Sequence, residues 1–256
     1  MTGVQTCALP ISNAAQKTFG GEDPQFETET MGDAFVAVFS GITSTAAVPV
    51  ITAVVNAASL TSALAPGSVA SIFGTNLPTS ASAGALVGGQ TAQVLLASAS
   101  EWNVIIPYNA VIGASTIQVG TSALFPITLS QYAPALLSVA GNVVAANRVA
   151  SGAVVSASAP AFPGDTLYIF ATGLGAIDSS SHPSPLPTVS VGGQQVTVLD
   201  AFVDSTNSGG VYQVTIQLPG TTPAGNLPII LSIGGVSSQS AILPVGAFTE
   251  IGRAHV

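Results

Sequence analysis

Charged side chains are scarce in this 256-residue chain: they make up 5% of it, against roughly 25% in an average soluble domain. Only three residues are Lys or Arg, and the formal net charge is −8. Proteins that bind nucleic acid neutralise its phosphates with Lys and Arg. The composition therefore excludes nucleic acid as a partner, and it also disfavours an anionic membrane surface.

Cysteine and histidine, which carry much of enzyme chemistry, are also nearly missing. The single cysteine, Cys7, has no partner for an intramolecular disulfide. One of the two histidines, His182, lies in a segment rich in Ser and Pro that is typical of a solvated loop, where nothing would orient an imidazole for Ser–His–Asp catalysis. The ligands for a zinc site are lacking. We therefore predict that the protein is not an enzyme and uses no cofactor.

Apolar residues, by contrast, are plentiful, at 48% of the chain. They occur as short runs of Val, Ile and Leu, which Gly, Pro, Asn and Ser interrupt about every 8–12 residues. This spacing is typical of all-β sandwiches. Because Ser, Thr, Asn and Gln supply the surface polarity, the composition is closer to that of extracellular bacterial β modules than to that of cytosolic enzymes.

The two ends of the chain are related to each other at the DNA level. One back-translation of Glu250–Val256, reverse-complemented and read from its second base, encodes Thr6–Ser12 residue for residue. Both ends resemble a translated sequencing adapter. We therefore expect residues 1–12 and 250–256 to be artefacts and the true start, with its signal peptide, to lie upstream.

Residues 13–48 form a separate segment. Phe19-Gly20-Gly21 and the stretch from Gly32 to Ala37, Gly-Asp-Ala-Phe-Val-Ala, resemble a β-propeller repeat of the SBBP type. The resemblance implies a remnant of one blade followed by a linker. Two alternatives for the uncharged run Ala34–Val55 are a membrane-spanning helix and a signal sequence that starts at Met31. Gly41 and Pro49 disfavour a helix, and we predict no membrane span.

From Pro49 to Val245 the chain carries a series of motifs that resemble one family. The motifs are Val54–Ser59, Ala65–Leu77, Pro163–Gly175, Val191–Gly193 and Leu231–Ser238. In order and spacing they are similar to the uncharacterised Solibacter-type C-terminal domain family. The resemblance implies a terminal module of a secreted protein, located behind propeller or immunoglobulin-like repeats.

The same region also repeats itself, with offsets that grow along the chain. Pro66–Leu77 aligns with Pro163–Leu174 at an offset of 97, and Val87–Gln90 aligns with Val191–Gln194 at 104. The stretch that starts at Trp102 aligns loosely with the one that starts at Tyr212, at 110. Growing offsets indicate longer loops in the second copy.

Each copy resembles an IPT/TIG immunoglobulin-like domain. We therefore predict an all-β protein with two tandem immunoglobulin-like β-sandwiches, at 49–140 and 141–249. The strand and turn pieces at 133–161 fit either sandwich. The Gly-Gly pairs at Gly88 and Gly192 predict tight hairpin turns, and Tyr212, Val214 and Ile216 should share the buried side of one strand.

Four acidic residues in the second copy suggest alternative sites. Asp200, Asp204 and Asn207 are weak candidates for a calcium site in a Gly-terminated loop, although an ordinary polar hairpin explains the same residues. A pair of carboxylates for glycoside hydrolysis would come from Asp165, Asp178, Asp200 or Asp204. Asp165, however, is expected to bond backbone N–H groups of a Pro-Gly-Asp turn.

Trp102 is the only tryptophan, and together with Glu101 and Asn103 it is a weak candidate for a sugar-binding platform. The alternative is core packing, because Trp102 aligns with Tyr212 at the head of a buried strand. The predicted function is structural spacing or adhesion, without catalysis, in a secreted or cell-surface bacterial protein. The alternative is a carbohydrate-binding module attached to an upstream enzyme or propeller, with a glycan or a cell-surface protein as partner.

Overall fold

The computed structural model describes residues 47–203 and 209–247. The predictions for Cys7, His255, the adapter-like ends and the propeller remnant fall outside these residues. From Ala47 onward the chain forms one compact unit. Its described part consists of β-strands and two short 3-10 helices, Ala81–Ala83 and Ala140–Asn142. None of the described helices has the length and apolarity needed to cross a membrane.

The first sandwich consists of seven antiparallel strands in two layers that share one strand. The strands are β1 (Val50–Asn56), β2 (Val69–Thr75), β3 (Ala85–Val87), β4 (Gln90–Ala97), β5 (Glu101–Ile105), β6 (Gly113–Val119) and β7 (Phe125–Leu129). One layer has the order β1-β2-β5-β4, and the other β4-β3-β6-β7. Strand β4 joins both layers because its first half pairs with β3 and its second half with β5. This is the A-B-E-D and C-F-G arrangement of an immunoglobulin fold.

The second sandwich repeats this order and extends it. Its strands are β8 (Ala135–Leu136), β9 (Ser138–Val139), β10 (Val143–Val144), β11 (Ala146–Arg148), β12 (Thr166–Thr172), β13 (Thr188–Val191), β14 (Gln194–Val203), β15 (Tyr212–Gln217), β16 (Gly225–Ile233), β17 (Val236–Ser237) and β18 (Ala241–Val245). Strands β11-β12-β15-β14-β13-β16-β18 follow one another as β1-β2-β5-β4-β3-β6-β7 do, and β10 and β9 extend the sheet beyond β18. The two tandem immunoglobulin-like sandwiches confirm the predicted fold.

Strand register shows how closely the copies correspond. Both copies interrupt the long shared strand with a β-bulge, after Val94 in the first and after Val198 in the second. The loose alignment of Trp102 with Tyr212 was wrong. Trp102 pairs with Ile72, whereas the equivalent Ile169 pairs with Val214, so the offset here is 112.

The boundary between the sandwiches lies earlier than the predicted 140/141. Strand β8 pairs with β12, and β10 pairs with β18. Leu136, Val144 and Ala146 belong to the core of the second sandwich. The pieces at 135–148 are therefore part of the second sandwich, because their strands pair with its strands and three of their apolar side chains are buried in its core.

Each sandwich has its own apolar core, which includes Trp102 in the first and Tyr212 in the second. Tyr212, Val214 and Ile216 are all fully buried, as their alternation in the sequence predicts. The Gly-Gly hairpins are also confirmed. Gly192 and Gly193 have φ values of 59° and 80°, the left-handed conformation that a two-residue turn of this type requires and that glycine adopts without strain.

Candidate functional site

Of the three residues of the predicted sugar platform, Trp102 belongs to the first core. Trp102 is completely buried, and its indole Nε1 donates a hydrogen bond of 2.7 Å to the carbonyl oxygen of Pro78. The side chains of Asn103 and Ser71 are hydrogen-bonded to each other at 2.7 Å, and Glu101 is half-buried at the start of β5. A sugar platform needs an exposed aromatic face, so the platform hypothesis is wrong for Trp102.

Asp165 shapes its own turn, as predicted. Its Oδ2 accepts a hydrogen bond of 2.8 Å from the backbone N–H of Phe162 and one of 3.0 Å from Nε of Arg148. The Arg148 guanidinium also lies over the Phe162 ring, 4.8 Å from its centroid. The carboxylate is thus fixed by structural contacts within the second sandwich.

His182 lies in a loop, as predicted, but two carboxylates face its imidazole, which was predicted to have nothing to orient it. Its Nδ1 lies 3.8 Å from Asp178 Oδ1, and its Nε2 lies 3.3 Å from Asp200 Oδ1. Asp178 Oδ1 also accepts the backbone N–H groups of His182 and Ser180, and these bonds hold the pKa of Asp178 below its usual value. The imidazole is 40% exposed. The cluster could not be recognised in the sequence, because Asp200 lies on β14 whereas Asp178 and His182 lie in a loop.

The calcium site stays a prediction, because only one of its three candidate residues is described. Asp200 bonds the N–H of Ala201 and faces His182, whereas Asp204 and Asn207 lie outside the described residues. Within 47–203 and 209–247, no three His, Cys, Asp or Glu side chains are placed to hold a metal ion.

A network of buried and partly buried polar contacts connects the two sandwiches. We call it the joint, and its residues are Val69 and Tyr108 from the first sandwich, and Thr172, Gly210 and Tyr212 from the second. Thr172 Oγ1 accepts a hydrogen bond of 2.8 Å from Val69 N–H and donates one of 2.7 Å to the Gly210 carbonyl. Gly210 N–H donates to the Tyr108 hydroxyl at 2.9 Å. The Tyr108 and Tyr212 rings meet edge to face, with centroids 6.3 Å apart.

Both tyrosines of the joint are held in the neutral form. Burial raises the pKa of the Tyr108 hydroxyl, although the hydrogen bond from Gly210 partly offsets this. Burial raises the pKa of Tyr212 further, with a smaller contribution from Tyr108. A charged phenolate in this position would lose its hydration without gaining a cation.

The segment between the sandwiches is fixed on the second one through Tyr132. Its ring packs against Gly234, where a Cβ atom would clash with the ring, and its hydroxyl donates a hydrogen bond of 2.7 Å to the Ser184 carbonyl. Two side-chain amides near this segment also form hydrogen bonds that connect the sandwiches. Asn56 Nδ2 donates to the Ala133 carbonyl, and Gln239 Nε2 donates to the carbonyls of Leu136 and Ala58.

A cleft of about 410 Å³ lies beside the joint, and both sandwiches contribute to its walls. Its polar lining consists of Tyr108, Asn109, Gln131, Tyr132, Asp178 and Ser184. The sequence could not reveal this cleft, since its walls come from four separate segments of the chain.

No protein-family model matches the sequence, and a search of curated protein sequences finds no match. Among solved structures, the chain is similar to the plexin A4 extracellular region, domains 1 to 8, at 12% identity and a TM-score of 0.33, covering 86% of this chain and 20% of that one. It is also similar to SGBP-B of the Bacteroides ovatus mixed-linkage glucan utilization locus, solved with a mixed-linkage heptasaccharide. The sequence identity is 15% and the TM-score 0.30, and the match covers 72% of this chain and 43% of that one.

A third similar structure is domains 5-6 of the S-layer protein SbsC, at 16% identity and a TM-score of 0.29, covering 78% of this chain and 100% of that one. The chain thus spans less than half of the plexin and SGBP-B chains.

Proposed function

We propose that this chain is a non-enzymatic spacing or adhesive module of a secreted or cell-surface bacterial protein. The observation that carries the proposal is the joint. A spacer must hold its neighbours at a fixed distance and angle, and buried hydrogen bonds across an interface define both because they depend strongly on direction. Thr172 and Tyr108 supply hydrogen bonds of this kind across the interface, and both bonds are partly buried.

The composition of the described surface supports an extracellular location. Glu101, Asp165, Asp178 and Asp200 are the acidic residues of the described ranges, and Arg148 is their basic one. Solubility must therefore come from Ser, Thr, Asn and Gln. This is the composition that favoured extracellular β modules at the sequence level.

The contacts of His182 support the absence of catalysis. In a Ser–His–Asp site, one imidazole nitrogen faces a carboxylate and the other faces the nucleophile. In this protein both nitrogens face carboxylates, those of Asp178 and Asp200. The arrangement suits a surface loop that is tied to a neighbouring strand.

Distances between spin labels test the spacer directly. Thr91 and Gln195 are exposed and occupy equivalent positions after the Gly-Gly turns of the two copies. We would label Thr91→Cys and Gln195→Cys in the full chain with Cys7→Ser and measure their separation by double electron-electron resonance. A single narrow distance distribution is expected, and a broad one would contradict the proposal.

The joint itself supplies the matched comparison. Thr172→Val with Tyr108→Phe removes the side-chain hydrogen bonds of the joint and should broaden the distribution. Thr222→Val removes a hydroxyl that bonds the Pro219 carbonyl within the second sandwich and should leave the distance distribution unchanged.

A panel of chromogenic glycosides and esters completes the test, since turnover that His182→Ala abolishes would overturn the non-enzymatic assignment.

A further inference from the structure

We propose that the cleft beside the joint binds a neutral oligosaccharide. This inference goes beyond the spacer function and does not depend on it, because the spacer is tested by distances and the cleft by binding. At about 410 Å³, the cleft falls within the range of roughly 300–1,000 Å³ that is usual for small-molecule sites.

The lining of the cleft matches the amphipathic chemistry of sugars. Pro66, Ala110, Ile112, Ala176 and Ile177 contribute apolar surface, which suits the C–H faces of a sugar ring. Asn109, Gln131, Ser184 and the two tyrosines carry side-chain or backbone groups that pair with hydroxyls. Amides and hydroxyls both donate and accept hydrogen bonds, as sugar hydroxyls do. A peptide would instead favour an open strand edge or an array of directed backbone partners.

Charge selects the class of saccharide. Asp178 is the charged side chain among the lining residues, and the backbone bonds that lower its pKa keep it ionised at neutral pH. No lysine or arginine lines the cleft within the described residues. An anionic polysaccharide would meet a carboxylate there without a compensating cation, which is unfavourable. A neutral sugar can use the same carboxylate as a hydrogen-bond acceptor.

The walls of the cleft are also held in place before a ligand arrives. The Tyr108 hydroxyl accepts the Gly210 N–H, and the Tyr132 hydroxyl bonds both Gln131 Nε2 and the Ser184 carbonyl. Asp178 is fixed by backbone N–H groups of its own loop. A site with ordered walls loses less conformational freedom on binding.

The test is calorimetric titration of the full chain with maltohexaose, cellohexaose and xylohexaose. Hexagalacturonate, a glucosamine hexamer and an uncharged proline-rich decapeptide serve as comparators. At least one neutral hexaose should bind with a Kd below about 1 mM. Absence of binding by all three would overturn the inference, as would binding of a comparator in their place.

Two variants locate the site. Ala176 is exposed and lines the cleft, so Ala176→Trp should fill it and weaken binding at least tenfold. Ala81, exposed on the 3-10 helix of the first sandwich, gives the control Ala81→Trp, which should bind as the wild type does. Asn109→Ala should also weaken binding, and it decides the question alone if Ala176→Trp fails to fold. Unchanged affinity in Asn109→Ala and in a folded Ala176→Trp would refute the cleft as the site.

Discussion

Replacement of Thr172 by valine tests whether the joint stabilises the protein. Thr172 is 1% exposed, and valine has nearly its shape, so the substitution removes the hydroxyl with little change of volume. The loss strands the N–H of Val69, whose partner is Oγ1, and the carbonyl of Gly210, to which Oγ1 donates. A buried backbone group without a partner costs about 1–3 kcal/mol.

Two such groups predict a loss of about 2–6 kcal/mol in the free energy of unfolding. For a unit of this size, each kcal/mol lowers Tm by about 2–4 °C, so Tm should fall by about 4–24 °C. Urea denaturation followed by the fluorescence of Trp102 and by far-UV circular dichroism measures the change. Because Trp102 lies in the first core and Thr172 in the second sandwich, a shift of the fluorescence transition reports coupling through the joint.

Thr222→Val is the matched control for this experiment. Thr222 is also buried, but its hydroxyl bonds the Pro219 carbonyl inside a turn of the second sandwich. Its loss should cost about 1 kcal/mol and leave the Trp102 transition in place. If Thr172→Val costs no more than Thr222→Val, the polar contacts of the joint do not stabilise the fold and the reasoning fails.

Three further predictions concern the hairpin, the tyrosines and metal. Gly89→Ala should lower the free energy of unfolding by about 1–2 kcal/mol in urea denaturation, because Gly89 has a φ of 80°. Gly220→Ala, at an open position without positive φ, should change the free energy of unfolding by less than about 0.5 kcal/mol. Equal effects of the two substitutions would contradict the argument that the hairpin turn requires glycine. The folded-state pKa values of Tyr108 and Tyr212 are raised, so the stability that these two neutral side chains contribute is complete below about pH 10 and should be lost as the pH rises above that value. Tyr212→Phe should reduce this loss of stability at alkaline pH. If the pH profile of Tm is the same in Tyr212→Phe as in the wild type, the prediction is refuted. EDTA should leave Tm within about a degree, and a drop of several degrees that Asp200→Ala abolishes would instead establish a calcium site.

The elements that the sequence predicted well are those set by local chemistry. The Gly-Gly turns follow from the φ values that only glycine adopts freely, and the buried side of β15 follows from alternation in Tyr212–Gln217. The turn at Asp165 likewise depends on a carboxylate and a backbone N–H three residues apart. Each of these features involves a few neighbouring residues, so its cause is visible in the printed sequence.

The joint, the cleft and the His182 cluster could not be predicted in this way. Val69 and Thr172, which meet in the joint, are 103 residues apart. Alternation identifies which residues are buried, but not which of two cores or interfaces buries them. Trp102 shows the same limit, since its alignment with Tyr212 was reasonable by residue type and only strand pairing corrected it.

The growing offsets of the repeat nevertheless indicate which connections of the second copy form the contacts between the sandwiches. By strand register the offset is 97 for β2, 104 for β3 and β4, 112 for β5 and β6, and 116 for β7. The second copy has therefore gained seven, eight and four residues in the connections β12–β13, β14–β15 and β16–β18.

Each of these three longer connections supplies a contact to the first sandwich or to the segment between the sandwiches. The first and the third bring Gly175 and Gly234 against the Tyr132 ring, and the second brings Gly210 N–H to the Tyr108 hydroxyl. A head-to-tail interface joins two different surfaces, so only one copy has to lengthen its loops to form it. The longer connections that make the second copy an imperfect repeat of the first are thus the ones that hold the two sandwiches together. The β12–β13 connection also provides Ala176, Asp178 and Ser184 to the lining of the cleft.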